Sequence, residues 1–162
     1  MPVVFSNQLK ALLVTEDIME QSASSFTHGD CLTVQHFSYQ CLRKRDSSGV
    51  PYGPTAPSYL DFTVKISSGE SAKVFFRRMQ QYEAFSYSFL FNASFNDKRR
   101  ISAFEDAMVA RGYLIEVEEA YENQAGKTDG EQEQMLIRAR LLLCKITYLG
   151  SNRNMELMIS HD

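Results

Sequence analysis

The sequence predicts a mainly β protein with one α-helix, a small β-barrel or curled sandwich carrying the helix on its outside. Three observations carry this. Residues 59–67 and 85–95 alternate apolar and polar side chains with the period of a half-buried strand. Residues 31–41 and 135–149 are strand-like too, yet each changes its apolar face midway, as strands do where a sheet curls. Between the two clean strands lies one stretch with a helix start signal. An aromatic content of Phe 11 and Tyr 8 with Trp 0 adds to the β bias.

In order, residues 1–29 are the least readable. Leu9, Ala11 and Leu13 share a face of a first strand over 8–14, and the serine-rich stretch to residue 30 reads as a loop or short helix. In 31–41, Leu32 and Val34 point one way and Phe37, Tyr39 and Cys41 the other. That requires a bulge near Gln35 or cover on both faces. Residues 43–57 form a charged connection punctuated by Gly49, Pro51, Gly53 and Pro54, too long for a tight hairpin. Connections of this length are usually functional or disordered, and nothing in this one is equipped for catalysis. It reads as a contact with a neighbouring copy of the same chain.

From Tyr59 the chain alternates cleanly, with Leu60, Phe62, Val64 and Ile66 inward. Ser67 and Glu70 then have capping-box spacing, opening a helix to about Tyr82 with Val74, Phe75, Met79 and Tyr82 on its apolar face. Over 85–95, Phe85, Tyr87, Phe89, Phe91, Ala93 and Phe95 face Ser86, Ser88, Asn92 and Ser94, a row that reads as core. Asn96, Asp97 and Lys98 make a turn. Residues 101–112 are ambiguous. Ser102 and Glu105 have cap spacing and Gly112 suits a helix end, whereas 101–109 also reads as a strand. Tyr113, Ile115 and Val117 are in step on a strand reaching Tyr121. Residues 122–133 are a polar loop. The strand over 135–149 puts Met135, Ile137, Ala139, Leu141 and Leu143 on one face, then Leu142, Cys144, Ile146 and Tyr148 on the other. After a turn at 150–152, Met155, Leu157 and Ile159 form a last short strand.

A length of 162 residues fits one domain, 1–162, with 1–30 as an N-terminal extension. A net charge of −3 supplies no global basic field for a phosphate backbone. The basic triplets at 43–45 and 98–100 therefore read as solvated loops, with nucleic acid a poor second. No apolar run approaches the roughly 20 residues of a membrane helix, and the N-terminus lacks the features of a signal peptide. Three cysteines are an odd number, which argues against a disulfide framework and for folding in a reducing cytoplasm.

No nucleophile elbow or phosphate-binding glycine loop occurs. Cys31, His36 and Cys41 lie along one strand, with roughly 33 Å between the cysteines at about 3.3 Å per residue, too far apart for one ion. His28 and His161 read as solvated. Glu116 and Glu118 share an outward strand face, and Glu119 and Glu122 follow. A solvated face outweighs an acid–base pair there. The expectation is no enzyme, no metal and no cofactor, with assembly as the role.

The order of motifs resembles the haemolysin-coregulated protein (Hcp) family, the tube proteins of type VI secretion systems, in the Bacteroidetes-type branch called TssD. The residues carrying the likeness start with His36-Phe37-Ser38-Tyr39, Asp46 and Gly49-Val50-Pro51, followed by an alternating strand. Next come a serine-rich cap into a helix with Phe76 and Met79, and the aromatic strand over 85–95. Phe104-Glu105-Asp106-Ala107, Glu118-Glu119-Ala120-Tyr121, and Met135-Leu136 opening a strand to Lys145-Ile146 complete the series. The likeness spans about residues 31–149. It implies a small curled two-sheet β-barrel with a flanking helix, forming a homo-hexameric ring that stacks into a hollow tube. A contractile sheath propels that tube, a spike tips it, and effectors travel inside it. Such a subunit is assembled in the bacterial cytoplasm and exported without a cleaved leader. The loop with Arg43, Lys44, Arg45, Asp46, Gly49, Pro51 and Tyr52 corresponds to the family's extended loop, which contacts a neighbouring ring. The chain departs from the pattern in its longer start, its Phe75–Met79 segment, an inserted-looking stretch from Arg111 to Val117 and its end, which leaves a divergent adaptor as a variant of this reading. The rival from another class is a monomeric barrel that binds a small apolar ligand against the aromatic face of 85–95.

Overall fold

The computed structural model describes residues 11–40, 42–56, 58–66, 69–122, 134–150 and 155–158. Six strands close a barrel: β1 (Ala11–Val14), β2 (Leu32–Tyr39), β5 (Tyr59–Ile66), β6 (Phe85–Phe91), β9 (Asp106–Glu122) and β10 (Gln134–Gly150). Their order is β10-β5-β2-β1-β6-β9, closed by a β9–β10 ladder, and every pairing is antiparallel. A short β11 (Met155–Met158) extends the row of β5 along β10. Two small hairpins stand outside this sheet. They are β3 (Leu42–Arg45) with β4 (Pro51–Ala56), and β7 (Ser94–Phe95) with β8 (Ile101–Ala103).

The barrel curls where the sequence changes phase. Gln35 is unpaired between the Val34–Val64 and His36–Thr63 partners, so a bulge accounts for the face change in β2. Cys144 is unpaired between Leu143–Gly112 and Lys145–Arg111. It returns Ile146 and Tyr148 to the core face that Leu141 and Leu143 occupy. The opposed second face expected for Ile146 and Tyr148 is therefore the same face, re-aimed by one extra residue. A third bulge, at Ile115, takes Tyr113 and Ile115 out of the core and puts Leu114 into it.

The interior is filled. Leu60, Phe62, Val64 and Ile66 point inward as their alternation predicts, and Phe62 packs against Phe75, Tyr87 and Phe89 with ring centroids 5.6–6.0 Å apart. Helix α1 (Gly69–Met79) lies against the barrel with Ala72 and Phe75 buried. It stops at Met79, where the Gln80 and Gln81 amides donate to the Arg77 and Arg78 carbonyls. The expected continuation to Tyr82 fails, and Tyr82 is fully exposed. The third inward position on the helix belongs to Arg78, whose guanidinium lies 4.5 and 5.1 Å from the ring centres of Phe85 and Tyr87. The cap at Ser67 falls outside the described residues.

Strand β6 is buried on both faces. Its serine face is covered by residues 15–31, so Leu90 joins Val14, Ile18, Phe26, Ile101, Ala107 and Val109 in a second core. Buried Ser88 is satisfied there, donating to the Glu16 carbonyl at 2.6 Å and accepting from the Ile18 amide at 3.2 Å. Residues 15–31 contain two single 3-10 turns, Ala23–Ser25 and His28–Asp30. Phe95 leaves the row for the small β7–β8 hairpin after Asn92 takes φ 53°. The helix reading of 102–112 is overturned. Glu105 accepts from the Asn92 side chain at 2.8 Å rather than capping, and β9 runs on as one strand. Gly112 sits mid-strand, where a Cβ would collide with the Leu142 carbonyl oxygen. The polar loop is expected from Glu122, but Glu122 still pairs with Gln134. Residues 123–133 lie outside the described residues, as do 151–154 and Ile159.

Antiparallel closure sorts the connections. β2, β6 and β10 run one way and β1, β5 and β9 the other. The β2-to-β5 and β6-to-β9 connections, each holding a small hairpin, therefore leave from the same end. The connection with α1 and the β9–β10 turn lie at the opposite end.

Candidate assembly interface

The residues of the 43–57 connection come together on one ordered hairpin. Arg45 pairs with Pro51 and Lys44 with Tyr52. Gly53 and Pro54 then bulge out before Arg43 pairs with Thr55. The stretch expected to be too long for a tight hairpin forms one with a longer turn over 46–50, and the two-residue bulge absorbs the remaining length. Asp46 sets the turn. Its Oδ1 accepts from the Ser48 and Val50 amides, each at 2.9 Å, its own amide donates to the Val50 carbonyl at 3.0 Å, and its carbonyl accepts from the Gly49 amide at 3.0 Å. Gly49 is required because the turn holds it at φ 84°. Pro51 begins β4 with a residue that needs no ladder donor.

Arg43 and Arg45 share one face of β3 and are exposed, Lys44 is half-buried on the other, and Val50 and Tyr52 are 55% and 52% exposed. The hairpin is thus a rigid arm carrying cations and an aromatic ring into solvent.

A second polar surface crosses the outside of β2, β5, β10 and β9. Arg140 donates to Asp61 from Nε at 2.8 Å and Nη2 at 3.4 Å, with Glu116 at 3.6 Å. Arg138 lies 3.7 Å from Glu118. The bond to Asp61, then the Asp61 charge, raises the Arg140 pKa further. Gln35, His36 and Thr63 join these residues in lining an open cleft of about 850 Å³. Glu116 and Glu118 are thus held beside arginines as a cross-strand ion ladder. The sequence carried a signal for this ladder that was not read, namely period-two acids at 116 and 118 and period-two arginines at 138 and 140.

The other candidates separate. Cys31 donates its thiol to the Thr27 carbonyl at 3.4 Å, and burial, aided by Asp30, pushes its pKa up to about 11. Cys144 is raised by burial. His36 is exposed, and Cys41 and His161 lie outside the described residues. Among the described residues, no three His, Cys, Asp or Glu side chains converge as metal ligands, and no helix is long and apolar enough to cross a membrane. The aromatic face of 85–95 is spent on packing, since Tyr87 and Phe89 are fully buried.

No protein-family model matches the chain, and no curated protein matches it in sequence. Solved structures do. Hcp1 from Flavobacterium johnsoniae aligns with a TM-score of 0.55 at 15% identity, covering 92% of this chain and 98% of its own. The fold is that of the Hcp proteins. A further Hcp protein gives a TM-score of 0.60 at 12% identity, and Hcp1 from E. coli EAEC 042 gives 0.59 at 14%. Each covers 91% of this chain and 95% of its own. The Hcp-like barrel and the likeness read from motif order therefore agree. The overlap takes in most of the chain at an identity too low for residue roles to be carried across.

Proposed function

We propose that the chain is a structural subunit of a type VI secretion tube, one Hcp-like domain that forms hexameric rings stacked into a hollow tube and propelled outward with effectors. The observation that carries this is the Hcp fold over nine-tenths of the chain, joined to a rigid exposed hairpin with no core of its own. Ring-to-ring contact is assigned to Arg43, Lys44, Arg45, Asp46, Gly49, Pro51 and Tyr52. Partners in this reading are further copies of the chain, then spike, sheath and effector proteins. Assembly takes place in the bacterial cytoplasm, and the subunit has no catalytic role. The packed interior supports this over the ligand-binding barrel, because Phe62, Phe75, Tyr87 and Phe89 occupy the space an apolar ligand needs.

The test is solution mass with negative-stain images of the same sample. Rings of about six subunits are expected, as in closed heterologous assemblies. Deleting 47–55 is expected to leave the rings and abolish their stacking. A strict monomer across a wide concentration range refutes the tube reading, and unchanged stacking in the deletion refutes the role of the hairpin.

A further inference from the structure

The aromatic packing thins at the end of the barrel where β1 starts. Phe37, Phe91 and Tyr148 are half-buried there and Tyr39 is 38% exposed, whereas Tyr87 and Phe89 deeper in are fully buried. The rings form one cluster. Between centroids, Phe37 lies 4.8 Å from Phe89, 6.2 Å from Phe91 and 5.7 Å from Tyr39, and Tyr39 lies 6.5 Å from Tyr148.

A strand edge runs beside this cluster. On β2, His36, Phe37 and Ser38 pair with β5 on one side, and no described strand pairs with them on the other. β1 occupies that other side only as far as Ala11, which pairs with Val34 and with Phe91, the last residue of β6. Residues 1–10, MPVVFSNQLK, precede Ala11 and lie outside the described residues. At about 3.3 Å per residue they are longer than the edge.

The pattern fixes a register for them. The bulge at Gln35 moves the inward face of β2 from Val34 to Phe37, and period two keeps Leu9 in step with Ala11 and Leu13. Inward residues oppose inward ones only if Gln35 is skipped on this side too. That sets Lys10 against His36, Leu9 against Phe37 and Gln8 against Ser38, with Asn7 and Phe5 following on the inward face towards the rim.

We propose that residues 5–10 continue β1 as a strand on the His36–Ser38 edge, with Leu9 and Phe5 covering the aromatic cluster. Strand addition of this kind supplies main-chain hydrogen bonds and seats alternate side chains. The tether at Ala11 gives the segment a higher effective concentration at the edge than a second copy has. The end so closed offers no entrance to a small apolar ligand. The inference goes beyond the tube reading and does not rest on it.

The test uses two forms of the chain, each with a thermal melt to establish folding. In the first, Cys31, Cys41 and Cys144 are changed to alanine, and Gln8→Cys and Ser38→Cys are added. Opposed residues of an antiparallel pair lie about 4.5–5.5 Å apart between Cα atoms, within disulfide reach. After oxidation, a cross-link within one chain is expected, read as monomer on a non-reducing gel and as a peptide pair joining positions 8 and 38 by mass. A cross-linked dimer, in which another copy supplies the strand, overturns the proposal, as does the absence of a cross-link. The second form decides if the alanine background does not fold. It carries Tyr39→Trp, which gives the chain its only indole, with and without residues 1–8. Removal is expected to raise acrylamide quenching of the indole and to admit the apolar dye anilinonaphthalene sulfonate. Equal quenching, or dye bound as well by the complete chain, overturns the proposal. Neither readout depends on rings, so failure here leaves the tube reading standing.

Discussion

Among the described glycines, Gly112 is the one whose Cβ position is blocked by backbone. It lies in β9 between the bulge at Ile115 and the site opposite the Cys144 bulge, where β9 and β10 are drawn together. A Cβ at this position would strike the Leu142 carbonyl oxygen and come within 3.0 Å of the Leu141 side chain. The first obstacle is backbone in the middle of a 17-residue ladder, so it does not rotate away as a flexible side chain would. Overpacking of this kind costs typically about 1–3 kcal/mol. At about 2 kcal/mol, Gly112→Ala is expected to lower the melting temperature by about 4–8 °C for a chain of this size. Gly112→Val, with two further methyl groups and the same backbone in its way, is expected to cost more. The assay is a reversible thermal or urea melt followed by far-UV circular dichroism, with the urea slope checking that unfolding remains two-state. A Gly112→Ala protein as stable as its parent would refute the close approach and the bulge geometry behind it.

Two further outcomes follow from particular groups. Asp46→Ala removes an acceptor shared by two backbone amides in an exposed turn, worth about 1–2 kcal/mol of hairpin order. Faster amide exchange at Ser48 and Val50 with an unchanged global melt is expected, and a lowered global melt would show that the hairpin is coupled to the barrel. Burial raises the Cys31 pKa from 9.0 to about 11, so the folded state disfavours its thiolate. The stability this gives is complete below pH 9 and is lost as the pH climbs towards 11, because the unfolded thiol releases its proton first. Alkylation of Cys31 at pH 8 is expected to be slower in the folded protein than in urea, as read by peptide mass. Equal rates would contradict the burial.

How much of this was legible in the sequence depended on how local the cause was. β5 was readable to its last residue because one face is buried and the other wet, which is what period two records. The bulges at Gln35 and Cys144 left a trace, since an extra residue shifts every later side chain to the other face. The bulge at Ile115 left none, because Tyr113, Ile115 and Val117 are all apolar and look in step although the core residue is Leu114. The serine face of β6 read as solvent-facing because its cover comes from residues 15–31, distant in sequence. Ser102, Glu105 and Gly112 misled by carrying sound local helix signals, which were outweighed by a ladder with β10 that no local window contains. The hairpin was marked by its Asp, Gly and Pro, but its pairing depended on the bulge at Gly53 and Pro54.

The filled interior decides where function has to lie. Four aromatic side chains occupy the middle of the barrel, and among the described residues the buried polar atoms without a hydrogen-bond partner are Arg78 Nη1 and Tyr87 Oη, with the Arg78 guanidinium 4.5 Å from the Phe85 ring centre. Burial raises the Tyr87 pKa, and the Arg78 charge pulls it back, so the phenol stays neutral at neutral pH and the pair serves as packing. What remains is surface, and antiparallel closure divides that surface into two ends and a side. The ends hold the connections, and one of these carries the β3–β4 hairpin, whose Val50 and Tyr52 side chains are exposed. The β7–β8 hairpin is held instead against residues 26–28, by the His28 amide on the Arg99 carbonyl at 2.7 Å and the Ile101 amide on the Phe26 carbonyl at 3.1 Å, with Ile101 in the second core.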